Sequence, residues 1–134
     1  MATARCAAPL VPVSWGELLD KIVILEIKCE RLLTAAARAN ARQELDGIAP
    51  ALARLAPVPE AVSRLRSDLG AVNRRLWDIE NAIRAKDAAA DFGEEFIALA
   101  RSIYRENDER GRIKHEINRL LRSPITEEKQ YATY

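Results

Sequence analysis

The sequence predicts an all-α protein, an elongated antiparallel helical bundle built on a long helical hairpin. Three observations predict it. Apolar residues recur at steps of three and four through most of the chain. Aromatics make up only 5% of the 134 residues, while Ala, Leu, Ile and Arg dominate, a mixture that favours helices over a sandwich of strands. The connectors between periodic segments are short. Helices are expected at about 14–36, 37–55, 59–88 and 92–122, forming one domain over 13–122 between a leader (1–12) and a tail (123–134).

The leader reads as flexible and becomes extended at Leu10-Val11-Pro12. It lacks a long apolar run and is a poor signal peptide. The first helix is the best signalled. Ser14 at N-cap and Glu17 at N3 form a capping box, and Val13 can staple to Leu18. Its seam runs through Leu18, Ile22, Leu25, Cys29 and Leu32. Leu19, Val23, Ile24 and Ile27 widen the apolar surface almost all the way round, which marks a helix at the centre of something. A single hairpin cannot cover that surface, so a homo-oligomer, a dimer first, is expected through helices one and three.

The second helix buries Leu45, Ile48, Leu52 and Leu55, with a break suggested by Gly47 and Pro50. Ala56-Pro57-Val58-Pro59 ends it. The third starts near Pro59 and carries the most regular seam, Val62, Leu65, Leu69, Val72, Leu76, Ile79 and Ile83. A capping box of Asp91 and Glu94 opens the fourth at Phe92, whose seam is Phe96, Leu99, Ile103, Ile113, Ile117 and Leu120, interrupted by Glu106 and Arg110. Ser123-Pro124 stops it. A short turn from Thr126 is expected in the tail. The last two helices, about 45 Å each at 1.5 Å per residue, form the antiparallel hairpin.

Composition closes several function classes. Hydrophobic residues reach 49%, too many for a disordered chain. Net charge is +1 from 21 basic and 20 acidic residues, which leaves no electrostatic footprint for nucleic acid and no polybasic membrane patch. Charges break the apolar run of the first helix, so it does not read as a membrane span. Cys6 and Cys29 have no paired spacing and suit a reducing, cytoplasmic setting.

In an up-down-up-down arrangement the polar residues fall into two layers. Glu17, Asp20 and Lys21 meet Arg66, Lys114 and Asn118. Higher up, Lys28 meets Asn73, Trp77, Tyr104, Asn107 and Asp108, with Glu80 nearby. As a site, these layers would bind a small anionic molecule, or hold Mg²⁺ between Glu17, Asp20 and Asp108 or Glu80. As structure, Glu17 caps the helix and pairs with Lys21, Glu80 pairs with Arg84, and the interior charges set register. Gly111 inside a long helix reads as a close approach to helix one. His115 has no partner at ligand spacing, so zinc is not expected. Arg101, Arg105, Arg112 and Arg119 share a mixed-sign face with Glu109 and Glu116, a solvated surface. No catalytic residue, metal ligand or cofactor is assigned.

The stretch Gly16-Glu17-Leu18-Leu19-Asp20-Lys21-Ile22-Val23-Ile24-Leu25-Glu26-Ile27-Lys28 resembles the opening word GELxDKITILEIK of an uncharacterised bacterial family, a domain of unknown function. Val23 stands where that word has Thr. The resemblance continues through Val72–Glu80, Phe96–Tyr104, Asn107–Arg110, Ile117-Asn118 and Glu127–Tyr131, covering most of residues 11–131. It implies an all-helical protein associated with surface-polysaccharide synthesis and carries no catalytic residue to these positions. The function expected is therefore a self-associating accessory or interaction protein, with a protein partner in a glycan pathway. The alternative is a small-molecule-binding or Mg-dependent enzyme acting on a sugar nucleotide.

Overall fold

A computed structural model describes residues 4–134; positions 1–3 of the expected leader lie outside them. The described residues are all-helical, with no strand. The helices are α1 (Trp15–Arg31), α2 (Ala35–Ile48), α3 (Glu60–Ala88) and α4 (Glu94–Leu120), and a 3₁₀ segment, Ala49–Leu55, follows α2.

The start of α1 is as its sequence signals: Ser14 Oγ accepts from the Glu17 N–H at 3.1 Å. The reciprocal half of the capping box is absent, because the Glu17 carboxylate is drawn to Lys114 on α4 at 2.7 Å. Val13 stays exposed. Helix α1 ends five residues earlier than its periodicity suggests. Leu32 turns extended, and Thr34 caps a new helix by accepting from the Ala37 N–H at 3.1 Å. The run Ala35–Ala37 is helix-compatible in either helix, and the Thr34 hydroxyl decides which one it joins. The break in the second expected helix lies at Ile48–Ala49, where the chain tightens to 3₁₀ with Pro50 at its start.

The fourth helix opens at Glu94 rather than Phe92, and its capping box does not form. Gly93 is the N-cap, and Asp91 is used by Lys86 at 3.2 Å and by the Gly93 N–H at 3.3 Å. Ahead of it, Ala90 takes a left-handed conformation (φ 53°), which lets the Asp91 N–H close α3 on the Lys86 carbonyl at 2.9 Å. Arg122 (φ 49°) ends α4 in the same way, through the Ser123 N–H on the Asn118 carbonyl. The tail beyond Ser123 has no helix; the turn expected from Thr126 is not there.

Helices α3 and α4 pack on each other along the chain reversal at 89–93, and α1 lies against both. The main core joins Leu19, Val23 and Ile27 of α1 to Leu69, Val72 and Leu76 of α3 and to Ile113 and Ile117 of α4. The opposite side of α1, Ile22 and Leu25, is buried by Ala41 and Leu45 of α2. Much of the apolar surface of α1 is thus covered within the chain, with α2 packed on the side that the hairpin leaves.

Beyond the last α1 contacts on α3, Arg31 with Asp78 at 2.9 Å and Glu30 with Arg74 at 3.6 Å, the two long helices continue alone. Their seam residues Ile79, Ile83, Phe96, Leu99 and Ile103 are only half-buried there. At the tip Phe92 and Ile97 are 56% and 54% exposed, and the Phe92 and Phe96 rings meet edge to face at 5.1 Å.

Candidate functional site

The site grows from one glycine. A Cβ on Gly16 would lie 2.5 Å from the Lys114 carbonyl oxygen and 3.0 Å from Asn118 Oδ1. Only a bare backbone permits α1 to press this closely on α4. The Asn118 side chain then accepts from the Gly16 N–H at 2.7 Å, satisfying one of the unpaired donors of the helix start.

That approach sets Glu17 and Asp20 against α4 and builds a charge knot. Asp20 is 1% exposed. Arg110 brackets it: Nε donates to both carboxylate oxygens at 3.0 Å, and Nη2 adds a further bond to Oδ2. Asn73 of α3 donates to Oδ1 at 2.9 Å, and Lys114 Nζ lies 3.9 Å from Oδ2. Lys114 is itself buried and held by Glu17 at 2.7 Å and by Glu127 of the tail at 2.9 Å. The Asp20 bonds hold the Arg110 guanidinium above its ordinary pKa. Burial acts to lower the Lys114 ammonium, but the two carboxylates outweigh it and its pKa is raised. Lys114 in turn pulls Glu127 below the usual glutamate value.

Above the knot, at the fork where α1 ends, a groove of about 400 Å³ opens between α1, α3 and α4. Lys28, Asn73, Trp77, Glu80, Asn107 and Arg110 line it, over an apolar floor of Ile24, Ile27 and Leu76. Lys28, Asn73, Trp77, Glu80 and Asn107 of the expected upper layer therefore meet here. Glu80 accepts from Arg84 at 3.3 Å in an i,i+4 pair, and Asn107 is committed through Nδ2 to the Ile103 carbonyl at 3.0 Å. Lys28 forms no ion pair among the described residues.

The other candidates go elsewhere. Glu17 and Asp20 belong to the knot. Lys21 turns to α2 and pairs with Glu44 at 2.9 Å, not with Glu17. Arg66 joins Glu26 at 2.8 Å rather than the first polar layer. Tyr104 and Asp108 meet the tail: the Tyr134 hydroxyl donates to Asp108 at 2.6 Å and the two tyrosine rings pack at 4.8 Å. Gly111 also faces the tail, with Lys129 at 3.8 Å from a Cβ built there, so close packing on helix one is not its purpose.

Two residues central to the knot escape sequence reasoning. Arg110 reads as an interruption of the α4 seam, although a cation on a core-facing seam is itself a sign of a buried carboxylate opposite. Glu127 lies in a stretch without periodicity, and nothing in the sequence signals its contact. No group of three His, Cys, Asp or Glu among the described residues is placed to hold a metal ion, and no helix there is long and apolar enough to cross a membrane. A model for a family of unknown function (DUF6165) matches residues 10–134. No curated protein and no solved structure matches the chain.

Proposed function

We propose a self-associating interaction role for this protein, which belongs to the family of unknown function DUF6165. The observation that carries it is the free arm formed by α3 and α4 past the end of α1. Its apolar seam continues after the covering helix has stopped, with Ile97 and Phe92 left exposed. The arm is also polarised. Its tip holds Asp87, Asp91, Glu94 and Glu95 around one lysine, Lys86, while its root is mixed in sign: Arg74 and Arg75 are paired with Glu30 and Glu106, and Lys28 forms no ion pair among the described residues. Two arms laid antiparallel about a twofold axis bring each acidic tip to the unpaired Lys28 beside the other's root and close both seams into a four-helix contact.

The catalytic reading keeps only Glu80 of its four acids in the groove. Glu17 and Asp20 are bound to Lys114 and Arg110, and Asp108 holds Tyr134. They do not converge on one solvent-reachable pocket, as metal-dependent chemistry on a sugar nucleotide requires. What favours the second reading is the groove alone, where Lys28 and Trp77 would meet an anionic small molecule. The accessory role in surface-polysaccharide synthesis rests on the sequence resemblance. The test is the solution mass of the full-length chain by light scattering: a dimer for the native protein, a monomer for Ile97→Glu. A native monomer at every concentration would overturn the proposal.

A further inference from the structure

Resting on that self-association, we infer that the groove at the arm's root is the seat for the arm tip of a second copy, with Phe92 as the knob. The groove and the tip complement each other in three respects. The groove floor is apolar, made by Ile24, Ile27 and Leu76 with the half-buried Trp77 at its side. The tip carries a phenylalanine that is more than half exposed and pinned edge-on by Phe96, so it is presented rather than folded away. An exposed aromatic is the kind of anchor that fills interface pockets.

Charge matches as well. Lys28, Arg84 and Arg110 line the groove against one lining carboxylate, Glu80. Arg110 is neutralised by Asp20 and Arg84 by Glu80, so Lys28 remains as the uncompensated cation. At the tip, Asp91 and Glu95 share Lys86, while Asp87 and Glu94 form no ion pair among the described residues. A carboxylate unpaired at the tip thus answers an ammonium unpaired in the groove.

The reach is right for reciprocal exchange. From Trp77 to the end of α3 at Ala88 the helix rises about 17 Å at 1.5 Å per residue. Antiparallel arms overlapping by that length place each tip at the other copy's groove. The contact is isologous, so each tip–groove pair forms twice.

The experiment is sedimentation velocity on full-length chains, with far-UV circular dichroism showing that each variant stays helical. Phe92→Asp and Lys28→Glu are each expected to weaken the native dimer at least tenfold. Glu94→Lys also weakens it, and an equimolar mixture of the Lys28→Glu and Glu94→Lys chains sediments as a dimer, because one of its two contacts is native and the other is restored with signs exchanged. A native dimer that Phe92→Asp and Lys28→Glu leave as tight as before would overturn the seat while sparing self-association. A native monomer would overturn both. A monomer whose Trp fluorescence is quenched saturably by uridine diphosphate glucose, with the quench lost in Lys28→Glu, would assign the groove to a small anion instead.

Discussion

Arg110→Met removes the guanidinium that brackets Asp20 and leaves a carboxylate that is 1% exposed. Its remaining partners are the Asn73 amide at 2.9 Å and the Lys114 ammonium at 3.9 Å. Breaking a buried ion pair by removing one partner costs about 3–5 kcal/mol. Two features place this case at the lower end. Lys114 still attracts the abandoned charge, and the Arg110 side chain is 25% exposed, so part of its field is already screened by water. The expected loss is about 3 kcal/mol, or about 10 °C in Tm for a domain of this size. Urea unfolding followed by helical circular dichroism measures it. Asp20→Leu combined with Arg110→Met should recover most of the loss, because the double variant buries no unpaired charge; the two sites should couple by about 2 kcal/mol. A loss below about 1 kcal/mol, or strictly additive single effects, would refute the view that this pair holds α1 to α4.

Gly16→Ala should destabilise by about 2 kcal/mol, since its Cβ would sit 2.5 Å from a backbone oxygen; thermal melting checks it. Gly111→Ala should do the opposite and stabilise by about 0.5–1 kcal/mol, because the added methyl meets only Lys129 at ordinary contact distance and replaces glycine within a helix. The docking of the tail should depend on acid. The Lys114 bond lowers Glu127 beneath its ordinary value of 4.5, so the contact's stabilisation is complete above that pH and is lost as pH falls through the lower folded value. The backbone order parameters of residues 125–134 should fall over that window, and Glu127→Gln should remove the step.

The helices were legible because their seams are periodic and their starts are chemical: Ser14 caps as its position says. Two polar layers were also legible in outline, and Lys28, Asn73, Trp77, Glu80 and Asn107 do share one groove. What the pattern hid was pairing. Glu17 has a local partner in Lys21 four residues on, yet the fold gives it Lys114 and gives Lys21 to Glu44, because tertiary approach outweighs a surface i,i+4 pair of about 0.2–0.5 kcal/mol. The glycines hide their roles for a related reason. Gly111 stands out because it lies deep in a helix, but Gly16, near a helix start where glycine draws no notice, is the close approach. The cover that α2 gives α1 is partly legible: Leu45 lies on the expected seam, Ala41 extends it, and Ile48, Ala49 and Leu52 pack at its edge.

Self-association through the arm is tested most directly by sedimentation equilibrium of the native full-length chain over a micromolar range, at low and high salt. The mass should rise with concentration from 15.0 kDa toward twice that value. Added salt should shift it back, because each acidic tip meets the unpaired Lys28 of the other copy. A mass fixed at one chain throughout, or an association that salt leaves untouched, would contradict the arm-to-arm contact.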